Sequence, residues 1–547
     1  MRNILEAQGG LFQVLVPGFP RNILRQQEQS SIPFVRFEPS TLAMGVNLNE
    51  LSYFDPTWTF VDAWESADAS ERTSGAFDHN TPFPWFVDSN PNSVLLPQLT
   101  PDGYPSGLGP GLKVSNLMMY RSLNGNYPGG NYTVLFDGSG QLRMGSDGGN
   151  TTINHDGIGS YSGTLVVTPS DASILVRIEA SQVENPIRNL QMIMPGFTSS
   201  SNRWHPNFIS WLGPFELLRF MDWMETNNSV VTDWEDRRPS NYRTEFGPLD
   251  PRNPATSGIK PGVKYETMID LCNETVKHPW FCVPAQASDT WVTNFATLVR
   301  DTLDTSLTIY VELSNEVWNS SFDQWDYFTD LGTTNGTNRN FEYGKRADEI
   351  FTIFGVVFGG LERIVRVISG QAANSTHLQK ISESIPSGRF DAMSIAPYMS
   401  NPGGTIANSG LTPLTTIDYL RNNLPTTSGR ITSNKVVADA SGVPLIFYEG
   451  GQSTFGTTTP LKTLYTPTFT AANRLPEMSG LYDDYYDLIQ TLNSGVFMHY
   501  SSIRVHNSNG SWGMQEYQPQ TNGTIDASGA AKYGATIARS AAWKALR

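Results

Sequence analysis

The sequence predicts an α/β chain, a (β/α)8 TIM barrel with an all-β sandwich inserted after the first barrel strand. Three observations lead there. Eight short apolar runs recur along the chain, several ending in a small polar residue. From about residue 200 onward they alternate with amphipathic helical stretches, the pattern of a parallel sheet covered by helices. Between residues 98 and 195 the texture changes to β-rich runs broken by turn signals every ~8–12 residues, as in all-β sandwiches.

Residues 1–97 hold a Pro-punctuated N-terminal segment and then Leu42-Ala-Met-Gly-Val-Asn-Leu-Asn49, read as the first barrel strand. Within 98–195 the turn signals are Pro101-Asp-Gly103, Asn124-Gly125, Pro128-Gly-Gly130, Asp137-Gly-Ser-Gly140, Asp147-Gly-Gly149 and Asp156-Gly157. Between them lie Tyr132–Phe136, Gly163–Thr168 and Ala172–Ile178 as strands. Residues 196–547 supply the rest of the barrel, beginning with Phe215–Met221 as second strand and Pro279–Pro284 as third. Ser288 or Asp289 caps a helix whose stripe is Trp291, Phe295, Leu298 and Val299. Leu307–Leu313 alternates strictly, which puts Glu312 inside the barrel if Leu307, Ile309, Val311 and Leu313 face the helices. Tyr343, Ala347, Ile350, Phe351, Phe354 and Phe358 mark a long amphipathic helix. The remaining strands fall at Arg363–Ser369, Asp391–Ala396, Leu445–Tyr448 and Gly495–His499. The Gly/Thr-rich stretches 400–416 and 452–470 read as long loops.

Composition narrows the function classes. The net charge of −15 argues against nucleic acid, whose phosphates need a basic footprint. No run approaches the ~18–20 apolar residues of a membrane span, and Leu11–Pro17 is too short and broken for a signal peptide. Nine N-x-S/T sequons (Asn131, Asn150, Asn227, Asn273, Asn319, Asn335, Asn374, Asn509 and Asn522) fit an extracellular, secreted chain. Cys272 and Cys282 are compatible with one bridge or with two buried thiols. No CxxC or HExxH occurs, so no metal site is expected. P-loop and GxGxxG signals are missing, and Gly451-Gln-Ser-Thr-Phe-Gly456 is one residue too long for a nucleophile elbow.

Two acidic residues each close a strand-like run. Glu316 ends Leu307-Thr-Ile-Tyr-Val-Glu-Leu-Ser-Asn-Glu316, and Glu449 ends Val443-Pro-Leu-Ile-Phe-Tyr-Glu449. Strand C-termini carry the chemistry of such barrels, and two carboxylates converging there suffice to hydrolyse a glycosidic bond with retention. A general acid needs a raised pKa, whereas a carboxylate nucleophile must stay ionised. Arg219 and Tyr398 are the groups expected beside Glu449, the first lowering its pKa by charge. Asn315 is placed to bond a sugar hydroxyl, and Asp222 follows Arg219 in the same segment. Aromatic platforms for sugar faces are expected from Trp512, in Gly510-Ser-Trp-Gly513, then Trp318, with Trp325, Trp223 and Trp234 behind them. Most tryptophans in such a chain are packing residues.

At these residues the chain resembles the clan-A, cellulase-like retaining glycoside hydrolases. The matching positions are Asn315-Glu316 on the fourth strand, Glu449 on the seventh, Arg219 on the second, Tyr398 on the sixth and Trp512 after the eighth. The strings Leu218-Arg-Phe-Met-Asp-Trp-Met224 and Tyr310-Val-Glu-Leu-Ser-Asn-Glu-Val-Trp-Asn319 are similar to large carbohydrate-binding proteins with a β-rich insertion after the first strand. The resemblance spans roughly residues 40–545 and implies a cofactor-free O-glycosyl hydrolase acting on a β-linked polysaccharide or oligosaccharide. Glu316 would be the acid/base and Glu449 the nucleophile. The clan often carries His near the end of the third strand and near Tyr398, where this chain has Pro284-Ala285-Gln286 and Ala396-Pro397. An inactive, lectin-like barrel is the alternative that departure leaves open.

Overall fold

The computed structural model describes residues 34–547 apart from 69–70, 74–75, 79–82, 89–96, 121–122, 251–258, 409, 493–494 and 519–529. The N-terminal stretch with Leu11–Pro17 and the sequon at Asn522 lie outside the described residues.

Strand β1 (Met44–Asn47) opens the barrel and is followed by an antiparallel region. That region holds a hairpin, β2 (Glu71–Thr73) and β3 (Ala76–Asp78), and then β4 (Phe86–Asp88), β5 (Lys113–Met118), β6 (Gly130–Ser146), β7 (Thr152–Val167), β8 (Ile174–Ser181) and β9 (Arg188–Ile193). The barrel resumes with β10 (Leu217–Arg219), β11 (His278–Val283), β12 (Ile309–Leu313), β13 (Ile364–Ser369), β14 (Ala392–Ile395), β15 (Leu445–Phe447) and β16 (Phe497–His499). These seven and β1 pair in chain order, all parallel, and β1 closes on β16. Each of the eight runs expected to be a barrel strand is one.

Alternation sorts the barrel's two faces. Leu217, Trp280, Tyr310, Val365, Ile446 and Met498 fill the interior, whereas Ile309, Val311 and Leu313 face the helices. Glu312 therefore points inward, as its spacing requires. Gly45 makes room inside, because a Cβ there would sit 2.2 Å from the Met498 sulfur. The helix Asp289–Thr302 is capped by Ser288, whose hydroxyl accepts from the Trp291 amide. The stretches expected as long loops are loop at 452–458 and, with short 3-10 turns at Pro402–Gly404 and Ile406–Asn408, over most of 400–416, but each runs into a helix, Pro413–Asn422 and Thr459–Asn473. Both begin with threonine at the cap and proline in the first turn, where its missing N–H costs nothing.

The insertion is all-β, as expected, but its architecture differs from two facing sheets. Strands β4 to β9 form one six-stranded antiparallel sheet in the order β4-β5-β8-β6-β7, with β9 also on β6. It begins ahead of residue 98, because β4 and a covering segment with Trp58, Trp64 and Trp85 pack on the same face. Two signals read as turns, Asp137-Gly-Ser-Gly140 and Asp156-Gly157, lie inside the long strands β6 and β7. The register shifts between Asp137 and Ser139 there, and Gly138 and Gly157 take φ +93° and +86°. A positive-φ glycine can be absorbed as a bulge that bends a strand without reversing it.

Polar contacts tie the covering segment to the sheet and the insertion to the barrel. Asp62 Oδ1 accepts from the Trp64 and Met192 amides at 3.0 and 2.7 Å. Arg203 bonds both Glu65 and Glu245, and Glu245 takes Lys264 Nζ at 3.0 Å. Asn124 Nδ2 donates to Tyr517 OH at 2.7 Å, and the Trp58 amide to Gln518 Oε1 at 3.0 Å, tying the sheet to the segment after β16. Cys272 and Cys282 are both free and buried. Among the described residues no helix is long and apolar enough to cross a membrane, and no cluster of His, Cys, Asp and Glu could hold a metal ion.

Candidate active site

Arg219 is the last residue of β10 and has no exposed side-chain surface. Its guanidinium spreads five ways across the barrel mouth. Nε and Nη2 donate to Glu312 Oε2 at 3.1 and 2.9 Å. Nη1 donates to Asn47 Oδ1 at 2.9 Å and to Glu449 Oε1 at 3.0 Å, and Nη2 also reaches Asn315 Oδ1 at 2.9 Å. One planar fork thus fixes residues from β1, the end of β12 and the end of β15, a task that suits arginine and not lysine.

Below the mouth, Glu312 balances that cation. It also accepts from Trp280 Nε1 at 2.8 Å, Ser369 Oγ at 2.5 Å and, through sulfur, Cys282 Sγ at 3.7 Å. Glu312 is fully buried, and Arg219, Trp280 and Cys282 converge on its Oε2 while Ser369 serves Oε1, the pairing that a buried carboxylate requires.

Glu449 lies just past β15, at 5% exposure. Its second oxygen accepts from Tyr398 OH at 2.9 Å. Glu316 reaches the mouth from the turn after β12, where Ser314 and Glu316 take φ 58° and 43°. Such left-handed backbone is costly for a residue with a side chain and turns the carboxyl out of the strand direction. Glu316 Oε1 accepts from Tyr448 OH at 3.2 Å and Oε2 from Asn319 Nδ2 at 2.9 Å. Tyr448 in turn accepts from Trp318 Nε1 at 3.3 Å.

Burial raises the pKa of both carboxyls; Glu316 adds to the rise at Glu449, and Glu312 to the rise at Glu316. At Glu449 the charge of Arg219 works against the effect of burial. Two interacting acids titrate as a pair, and in this pair the first proton settles by donor type. Glu449 touches a guanidinium, which favours its ionised form, while Glu316 has only neutral donors. The geometry therefore favours a proton on Glu316 and a charge on Glu449.

The structure brings Arg219, Asn315, Glu316, Glu449 and Tyr398 into one hydrogen-bonded mouth. Trp318 and Trp512 are half-buried at its walls, the first through Tyr448 and the second with its ring 5.6 Å from Tyr398. Asp222, in the turn after β10, is in electrostatic reach of Arg504, Glu50 and Arg219, and burial pushes it up to about 7. Trp223 is a core residue, 1% exposed and bonded to the Asn49 carbonyl, and so is not a platform. Trp234 packs on Trp291 and Arg237, and Trp325 lies under Arg339.

Four site residues went unread. Asn47 ends β1 and also donates to the Tyr448 carbonyl at 2.9 Å. Tyr448 shares the interior face with Ile446, which strand alternation could have shown. Asn227 and Asn319, noticed only as sequons, bond Asn315 and Glu316 through their side chains. No sequence signal separates those two amides from the other sequons.

No protein-family model matches the chain, and no curated protein matches it. Solved structures give distant likenesses. The Clostridium thermocellum endo-1,4-β-D-xylanase with CBM22 and GH10 modules aligns at 10% identity over 79% of this chain and 91% of that one, TM-score 0.34. A GH5 broad-specificity endoglucanase from Ruminococcus flavefaciens aligns at 13% identity over 63% and 88%, TM-score 0.35. An endo-1,4-β-D-mannanase from Thermotoga petrophila aligns at 11% identity over 60% and 94%, TM-score 0.31.

Proposed function

We propose that the chain is a retaining O-glycosyl hydrolase of β-linked glycans, with Glu316 as acid/base and Glu449 as nucleophile. One observation carries the reading. Two glutamates, Glu449 buried and Glu316 half-buried, stand at the C-terminal mouth of a closed parallel barrel, one on Arg219 and Tyr398 and the other bonded by neutral donors alone.

The steps follow from that asymmetry. Glu316 gives its proton to the glycosidic oxygen as the bond to the anomeric carbon breaks. Glu449 attacks that carbon and forms a glycosyl ester. Glu316, now ionised, takes a proton from water, and the hydroxide oxygen displaces Glu449, restoring both residues. Tyr398 and Arg219 hold Glu449 on its line of attack and stabilise it as the leaving carboxylate. Asn315, held by Arg219 and Asn227, is positioned for the sugar hydroxyl beside the reacting carbon. Trp318 and Trp512 offer apolar faces to neighbouring sugar rings. The substrate we favour is a β-glucan-like polysaccharide or oligosaccharide, and secretion of the chain accords with its sequons.

A carbohydrate-binding barrel without catalysis is the second reading, favoured by the missing histidines at Pro284–Gln286 and Ala396-Pro397. In that case the sheet would be expected to display aromatics. The aromatics packed against its inner face, Trp64, Trp85, Tyr132 and Phe136, are instead buried, and Tyr161 is half-buried against Phe136, which suits a buttress. Reducing-sugar release from β-glucans, xylans and mannans decides between the two. We expect release by the wild type, none by Glu449→Ala, and a fall of about 10²-fold or more in Glu316→Ala. Silence on every glycan with binding retained by all three proteins would sink the enzyme.

A further inference from the structure

Lys532 is the second residue of the last helix, Ala531–Lys544, and its side chain has no solvent exposure. Burying an ammonium is costly unless it is paired. Among the described residues Lys532 forms no ion pair, and its one hydrogen bond runs from Nζ to the Ser511 carbonyl at 2.8 Å. The same carbonyl takes Gln452 Nε2. Gln452 lies three residues past Glu449 and is itself fixed, by Asn473 Oδ1 at 2.9 Å and Thr454 Oγ1 at 2.9 Å. Ser511 precedes Trp512, whose carbonyl accepts from the Ser501 amide at 3.2 Å. The Trp512 ring leans on Tyr398, Tyr500 and Phe455, and Tyr398 holds Glu449.

We propose that Lys532 is a positioning residue of the site, clamping the Ser511 carbonyl with Gln452 so that Trp512 is held against Tyr398. The inference rests on the reading of Trp512 as a sugar platform. A methionine would fill the same volume at no desolvation cost, so the amine is retained for what it donates. The charged groups facing it are Glu516, which is bound to Arg474, and the imidazoles His499 and His506, both of which burial keeps neutral. Burial lowers Lys532 to about 7, so the strong charge-assisted bond is present below neutrality and weakens above it.

The test pairs Lys532→Met with Trp512→Phe. Acrylamide quenching attributable to Trp512, taken as the difference from the matching Trp512→Phe protein, should at least double in Lys532→Met. In wild type it should rise between about pH 6 and 8.5, across the lysine's lowered titration. On a hydrolysed glycan, Lys532→Met should raise KM about tenfold with kcat changed less than about threefold, the pattern of lost uniform binding. Trp512→Ala should add little in the Lys532→Met background, as coupled residues do. Quenching that is flat with pH in wild type and unchanged by Lys532→Met, or KM effects that simply add, would overturn the clamp. The quenching arm needs no turnover, so a chain that hydrolyses nothing fails the glycosidase reading without touching this one. If Lys532→Met does not fold, Lys532→Gln, which still donates but does not titrate, should make the quenching flat with pH, and a pH dependence that persists would overturn the clamp.

Discussion

Arg219 is the residue on which the site turns, because it is bonded to two acids and two amides. Removing its charge outright would leave Glu312 and Glu449 buried and unpaired, at a cost of about 3–5 kcal/mol. Arg219→Lys keeps the charge but replaces a planar fork by a point donor that cannot serve Glu312, Asn47, Asn315 and Glu449 together. The sign of the pH effect follows. A nearby cation favours the ionised carboxyl, so withdrawing it from Glu449 raises that group's pKa further. In the proposed mechanism attack requires ionised Glu449, and the acidic limb of kcat/KM should therefore move to higher pH in Arg219→Lys, with the plateau down by about 10²-fold. A pH–rate profile of the two proteins measures this, and a limb that stays put would separate Arg219 from Glu449. Arg219, Glu449 and Tyr398 were legible as neighbours because each ends its own strand. Asn319 and Asn227 were not, since their roles depend on how the turns after β12 and β10 fold back.

Between elements, Asp62 performs the join of the covering segment to β9 by accepting two amides from one oxygen. Burial, with Glu65 nearby, pushes it up to about 7. The folded chain therefore holds a proton there that the unfolded chain has lost by about pH 4, and stability falls as pH rises from about 4 to 7. Asp62→Asn keeps the accepting oxygen and abolishes the titration. We expect it to match wild type near pH 4 and to exceed it near pH 8 by up to about 4 kcal/mol, at 1.36 kcal/mol per pKa unit. Urea midpoints at the two pH values check this, and an equal gap at both would refute the titration. The strands were readable because interior and exterior residues alternate over whole segments such as Leu307–Leu313. The sheet's architecture was not, because a glycine pair that bends β6 or β7 has the same sequence as one that reverses a chain. The helices at 413–422 and 459–473 were obscured in the same way, since threonine and proline mark both loops and helix starts.

At the scale of the molecule the question is whether sheet and barrel unfold as one. Two hydrophobic cores meet across the charge cluster of Glu65, Arg203, Glu245 and Lys264. Glu245 is fully buried and also accepts from Thr267 Oγ1 at 3.1 Å. The surrounding cations hold its carboxyl down at about 2, so it is charged throughout the working range. Glu245→Ala leaves Arg203 shared with Glu65 alone and Lys264 without its partner, a loss of about 3–5 kcal/mol if the cations stay buried. That loss falls at the joint and not within either core. Calorimetry should accordingly give a single transition for wild type and, for Glu245→Ala, an earlier melting of the sheet ahead of the barrel. The sheet also ties down Tyr517 and Gln518, a few residues past Trp512, so its early melting should carry Trp512 quenching with it before the barrel unfolds. Two separate transitions in wild type would mean that the sheet is attached to the barrel without stabilising its mouth, and one transition shifted intact in Glu245→Ala would mean that the coupling does not run through this cluster.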